Sequence, residues 1–141
     1  MRLSEILNAK GSSVHTISPS ASLADVVAKL VENNCGSLVV CEGETMVGII
    51  TERDILRATA RRLGTLEQLS VKDFMTSSVI TGLAEDTVEE IMGVMTTKRI
   101  RHLPILDSGR LAGMISIGDL VKAQHDQLCM ENYYLKNYIQ S

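Results

Sequence analysis

GIITERD at 48–54 and GMISIGD at 113–119 are the two stretches from which this 141-residue chain is read. Each has a glycine, two apolar residues, a hydroxyl residue and, three positions later, an aspartate. A Thr or Ser followed at that spacing by an acid is a capping box, which opens a helix. The apolar residues before it end a buried strand. Each stretch is therefore a strand running straight into a helix. One example would be an ordinary structural device. Two examples, 65 residues apart, are a repeat.

Working outward at that offset, Val14 to Ala58 lies on Val79 to Ala123 without a gap. The identities are Val14/Val79, Thr16/Thr81, Leu38/Leu103, Gly48/Gly113, Ile50/Ile115, Asp54/Asp119 and Ala58/Ala123. Similar pairs keep the same physics, among them Ser22/Thr87, Asp25/Glu90, Val26/Ile91 and Arg57/Lys122. A looser echo precedes each unit, LSEIL at 3–7 and VKDFM at 71–75. Within the first unit Leu23, Val26, Val27, Leu30 and Val31 form a helical stripe, opened by Ser22 with Asp25 as its box partner. Val88, Ile91, Met92 and Met95 repeat it behind Thr87 and Glu90. SLVVC and MVGII flank the turn EGET, and HLPIL and LAGMI flank DSGR, so each unit continues as a hairpin of buried strands. The expected unit is strand–helix–strand–strand–helix, an α/β (α+β) arrangement. A unit of that size buries too little apolar surface to stand comfortably alone, so two are expected to pack together. The expected boundaries are 1–66 for the first repeat with its N-terminal segment and 67–125 for the second. An extended C-terminal helix over 119–141 follows.

Composition narrows the function classes. Formal charge is −3 and aromatic residues are 3% of the chain, which argues against phosphate backbones and stacked bases as general partners. No apolar run is long enough for a membrane span, and the N-terminus MRLSEILNAKG lacks a signal peptide's apolar middle, so a cytoplasmic protein is expected. Cys35, Cys41 and Cys129 are odd in number and show no CxxC spacing, which suggests neither a disulfide framework nor a zinc ribbon. There is no nucleophile elbow, Cys–His dyad, paired-carboxylate arrangement or Walker loop. The chain is therefore expected not to be an enzyme. His125 and Cys129 stand four apart on the tail, too few ligands for a metal site, and none is expected. His15 and His102 read as packing or surface residues.

The duplicated corner has its own chemistry. A strand feeding a helix N-terminus offers backbone N–H groups and a favourable dipole to an anion. Thr51 or Ser116 can add a hydroxyl donor, and a carboxylate such as Asp54 or Asp119 can accept both hydrogens of a ribose diol. Hydroxyl for phosphate and carboxylate for ribose together suit a nucleotide. Arg53, Arg57 and Arg61 fall on one helix face. They form either a solvated row or, with Lys98, Arg99 and Arg101, a basic border to the site. The tail, with Val121, Leu128 and Leu135 at sevens and Tyr133, Tyr134 and Tyr138 near its end, either packs on its own domain or meets a second subunit.

With TERD, ISIGD and the intervening KRIRHLPI in place, the chain resembles the tandem cystathionine-β-synthase (CBS) domain pair, or Bateman module. The tail ending NYYLKNYI is similar to that of small stand-alone bacterial members. The resemblance covers essentially the whole chain. It implies β-α-β-β-α repeats packed as a pseudo-twofold module, clefts between the repeats for AMP, ADP, ATP, NAD(H) or S-adenosylmethionine, and a homodimer. In the first site it implies Asp54 at ribose, Thr51 at the first phosphate and Ile49 against the base or sugar. Cys35, Gly36 and Ser37 would line the base pocket, Thr16 would match the repeat's opening h-x-T, and Arg53 would pair a phosphate. The second site carries Asp119, Ser116, Met114, Ile100, Arg101, His102 and Thr81 over in the same roles. Gly118 there removes a charge and leaves room for a larger ligand. The expected function is a non-catalytic sensor of energy or redox state, read by an effector protein. The alternative is a ligand-free scaffold acting through its C-terminal helix.

Overall fold

The two hairpin loops, Gly43–Glu44 and Ser108–Gly109, make different demands on the backbone. Ser108 and Gly109 both take positive φ (54° and 78°), the pairing that matches a two-residue turn to strand twist. Gly43 takes φ 61° at the first hairpin. These turns fix the register of two hairpins in the computed structural model, which describes residues 1–11 and 13–140. Among the described residues the chain order is α1 (Leu3–Lys10), β1 (Thr16–Ile17), α2 (Leu23–Asn33), β2 (Ser37–Glu42), β3 (Thr45–Thr51) and α3 (Glu52–Arg61). It continues with α4 (Val71–Phe74), β4 (Gly82–Leu83), α5 (Val88–Lys98), β5 (His102–Asp107), β6 (Arg110–Ser116) and α6 (Ile117–Gln140). The chain divides into two compact units, one of residues 13–80 and one of residues 1–12 with 81–141.

In the first of these, β1 pairs parallel to β2 and β2 antiparallel to β3, with Thr16 opposite Val39 and Ser37 opposite Thr51. The parallel pair is joined by α2, as a crossover requires. Ile17, Leu38, Val40 and Ile50 on one sheet face pack with Leu23, Val26 and Leu30 of α2, Ala58 of α3 and Val71 of α4. Ser22 caps α2 in a reciprocal box with Asp25, as its spacing predicts. Val31, the last residue of the predicted apolar stripe, is instead 76% exposed. The stripe is wider than the sheet it covers.

The other unit repeats the plan: β4 parallel to β5, β5 antiparallel to β6, and the same irregularity late in the central strand. Leu103, Ile105 and Ile115 are fully buried, as is Leu120 at the start of α6. The helix α6 runs unbroken from the cap into the tail, as expected. Every described side chain from His125 to Ile139 is exposed, so those residues do not pack on their own domain.

The repeats as read from the sequence, 1–66 and 67–125, and the compact units divide the chain differently. The segment 1–12 belongs to the unit of the second repeat, and 67–80 belongs to that of the first. The reason is packing. Leu3, Ile6 and Leu7 of α1 are buried, and backbone bonds run from Leu3 N to Asp86 O (2.9 Å), Ser4 N to Ala84 O (2.9 Å) and Val88 N to Met1 O (3.0 Å). In the same way Val71 N donates to Ala21 O (2.9 Å) and Leu23 N to Leu69 O (2.9 Å). Each echoing segment therefore completes the repeat that does not follow it. Ser12 and Ser141, within the expected first-repeat and tail spans, lie outside the described residues.

Candidate functional site

At the end of β3 the chain turns into α3 with Thr51 as cap. Thr51 N donates to Asp54 Oδ2 (2.9 Å), Thr51 Oγ1 lies 3.3 Å from the same oxygen, and Asp54 N returns a bond to Thr51 Oγ1 (3.4 Å). The second corner has the same geometry: Ser116 N to Asp119 Oδ2 at 2.9 Å and Asp119 N to Ser116 Oγ at 3.1 Å. One further bond ties each corner to its sheet. Glu52 N donates to Gly36 O (3.1 Å), and Ile117 N to Arg101 O (2.9 Å). Thus Gly36 and Arg101, predicted as site residues, hold the first helical amide through their carbonyls.

Asp54 is buried and takes all its side-chain bonds through Oδ2. Among the described residues no buried side-chain oxygen or nitrogen is left without a partner, so its Oδ1 keeps access to solvent. That oxygen is available to a ligand donor. Asp119 differs. Its Oδ2 also receives Lys10 Nζ at 2.6 Å, and the same ammonium donates to Met114 O at 2.9 Å. Burial raises the Asp119 pKa, but the Lys10 and Ser116 bonds lower it by more, so the carboxyl lies below its ordinary value. Lys10 was not among the residues the sequence singled out. Its signal was faint, a lone cation at the end of a short helix.

Cross-strand partners share a sheet face. Thr16 opposite Val39 opposite Ile49, and Ser37 opposite Thr51, therefore place Thr16, Ser37, Ile49 and Thr51 on the face turned away from the α2 core. In the other unit His102 faces Ser116 and Pro104 faces Met114, again opposite to the face of Leu103, Ile105 and Ile115. The residues brought together are those that the resemblance implied separately. Val39 and Pro104 complete the two faces; strand alternation could have found them.

Other predicted residues have further duties. The Thr16 carbonyl accepts the Lys29 ammonium. Cys35 N and Ile100 N close α2 and α5 by bonding Leu30 O and Met95 O (both 3.1 Å), just after the left-handed residues Asn34 and Arg99. Cys35 also lines an open groove of about 500 Å³ with Val27, Val31, Ile55 and Leu56, on the helical side of its unit. Thr81 precedes β4, and Gly118 is exposed in the first turn of α6. Arg53 and Arg57 are exposed, while Arg61 sits 5.8 Å over the Phe74 ring. The basic row is thus not uniform: its last member is held by an aromatic face. Lys98, Arg99 and Arg101 are exposed. His125 lies 3.7 Å from Cys129 Sγ, and no group of three or more metal-ligating side chains occurs among the described residues.

The CBS domain family model matches this chain twice, over residues 4–61 and 71–126. The chain belongs to the CBS-domain family. It is 37% identical to the CBS-domain-containing protein ATU1752 from Agrobacterium tumefaciens, whose crystal structure superposes with a TM-score of 0.85 over 88% of this chain and 99% of that one. The CBS-domain protein PAE2072 from Pyrobaculum aerophilum, solved as a complex with AMP, is 30% identical with a TM-score of 0.75, covering 84% of this chain and 89% of that one. The CBS domain-containing protein YhcV of Bacillus subtilis is 30% identical over 123 residues, 86% of either chain. The two matched CBS segments begin at α1 and α4, so the family repeat includes the helices that pack on the opposite repeat's unit. No helix among the described residues is long and apolar enough to cross a membrane.

Proposed function

We propose that this CBS pair is a non-catalytic regulatory module that binds adenosine-containing ligands at the strand-to-helix corner of each repeat. The observation that carries the reading is the duplicated carboxylate, held at N3 of α3 and α6 by a cap that engages Oδ2. A carboxylate fixed on one oxygen presents the other to a ribose diol without further ordering. Thr51 and Ser116, with the first-turn amides, serve the first phosphate; Arg53 adds a cation at the first corner. Ile49 and Met114 lie on the faces where a sugar or base would rest, with Thr16 in β1 and Thr81 just before β4 beyond them. Cys35, Gly36 and Ser37, and likewise Ile100, Arg101 and His102, contribute backbone groups to the adenine edge. The AMP complex of PAE2072 supports adenylates as the class. AMP, ADP, ATP and NAD(H) are the ligands proposed, and S-adenosylmethionine is the outlying member. The output is a coupling free energy to an effector protein in the cytoplasm, typically about 1–3 kcal/mol, rather than a reaction.

A thermal-shift titration with AMP, ADP, ATP, NAD⁺, NADH, S-adenosylmethionine and GTP tests this. Ligand binding only the folded form adds about 2.7 kcal/mol at a hundredfold excess over Kd. Saturable rises with adenine ligands alone, reduced in Asp54→Ala and in Asp119→Ala, are expected. A flat response across the panel would refute it.

One observation favours a second reading alongside the first. The exposed Leu128, Leu135, Tyr138 and Ile139 on α6 give the tail an uncovered apolar surface, which suits a homodimer or an effector contact.

A further inference from the structure

The two corners share their cap but not their cation. In the first, Arg53 stands inside the motif; in the second, Gly118 takes its place. Yet the second corner has the only ion pair among the described residues that reaches either aspartate. Lys10 Nζ lies 2.6 Å from Asp119 Oδ2 and donates to Met114 O at 2.9 Å. Lys10 comes from α1, not from the repeat that carries the motif. The echoing segments explain why the first corner has no such partner among the described residues. Lys10 stands three residues beyond Leu7, the end of LSEIL, whereas three residues beyond Met75, the end of VKDFM, stands Ser78.

We infer that Lys10 is a specificity-determining residue that makes the second corner select phosphorylated ligands over neutral or cationic nucleosides. The inference rests on the adenosine-binding reading above. A ribose diol offers two hydroxyl hydrogens to Asp119, and the one directed at Oδ2 competes with the ammonium already bound there. The side chains of Lys10 and Asp119 are 38% and 25% exposed, and ion pairs open to solvent exchange readily. An ammonium displaced from Asp119 needs a new anion close by, and its flexible four-carbon stem lets it re-aim. A ligand phosphate supplies that anion; neutral adenosine does not. The sulfonium of S-adenosylmethionine adds a second cation and is disfavoured further. Lys10 therefore replaces, from another element, the charge that Gly118 removes.

The test uses the full chain carrying Asp54→Ala, in which the second corner is the remaining site, titrated calorimetrically with AMP and with adenosine. AMP is expected to bind at least about tenfold more tightly than adenosine, as a charge-assisted phosphate contact warrants. Adding Lys10→Met should collapse that ratio to within about threefold, by weakening AMP and not adenosine, while Lys10→Arg should keep most of it. Lys10→Met in the otherwise intact chain gives the same reading without touching α3, because one of two AMP-binding steps should weaken. A ratio unchanged by Lys10→Met, or equal weakening of both ligands, overturns the inference and leaves the binding reading standing. So does binding by the Asp119→Ala protein with none by the Asp54→Ala protein. If neither protein binds AMP or adenosine, the inference and the reading both fall.

Discussion

Asp119 sits between opposing influences: burial raises its pKa, while Lys10 and the Ser116 amide and hydroxyl lower it, and the lowering wins. A carboxyl depressed in the folded state stabilises the fold above its unfolded value, about 3.9, and loses that contribution as pH falls through the lower folded value. The Lys10–Asp119 pair should therefore add a constant increment to stability near neutrality. That increment should fade in the acid range below pH about 4. Denaturant unfolding of the chain and of Lys10→Met from pH 7 down to pH 3 measures it. The two stability curves should converge as Asp119 is protonated; a gap that persists unchanged at the acid end would show that the pair does not carry it. Among the described residues Asp54 has no counterpart of Lys10, so the equivalent residues of two repeats differ by one contact from outside the motif. At this scale the capping residues were legible because a box needs only local spacing. Lys10 was not, because its partner lies 109 residues away.

Among the elements, α1 and α4 explain the glycine that opens each motif. A Cβ on Gly48 would lie 2.8 Å from both Met75 Sδ and the Thr76 carbonyl oxygen; one on Gly113 would lie 2.5 Å from a Leu7 methyl carbon. The glycines are where the short helices dock. Thr76 also exchanges backbone bonds with Ile49 (3.0 and 2.9 Å), so the chain after α4 is fastened to β3. Gly48→Ala must push a backbone oxygen aside and should cost about 1–3 kcal/mol. Gly113→Ala meets only a leucine side chain and should cost less. Comparing the two by chemical denaturation checks this; equal costs would contradict it. The repeat gave away the hairpins, the capped helices and the continuous α6, since all rest on local periodicity. It did not reveal where α1 and α4 dock, because an apolar stripe tells which side of a helix is buried but not which surface buries it. Val31 was misjudged for a related reason: a helix can carry more apolar face than its sheet covers.

In the molecule as a whole, each compact unit holds one repeat and the short helix that precedes the other. That exchange makes the N-terminal segment part of the second repeat's unit and brings Lys10 to Asp119. Capping-box spacing singled out Thr51, and the family resemblance implied Thr16, Ser37 and Ile49 one by one; strand register unites the four on a single sheet face. The two carboxylates at these corners are proposed to hold an adenosine ligand. Isothermal calorimetry of AMP against the full chain and against the Asp54→Ala/Asp119→Ala double variant tests this most directly. Saturable binding to the first protein is expected, and its loss in a double variant that still unfolds cooperatively. Undiminished AMP affinity in that folded double variant would contradict it.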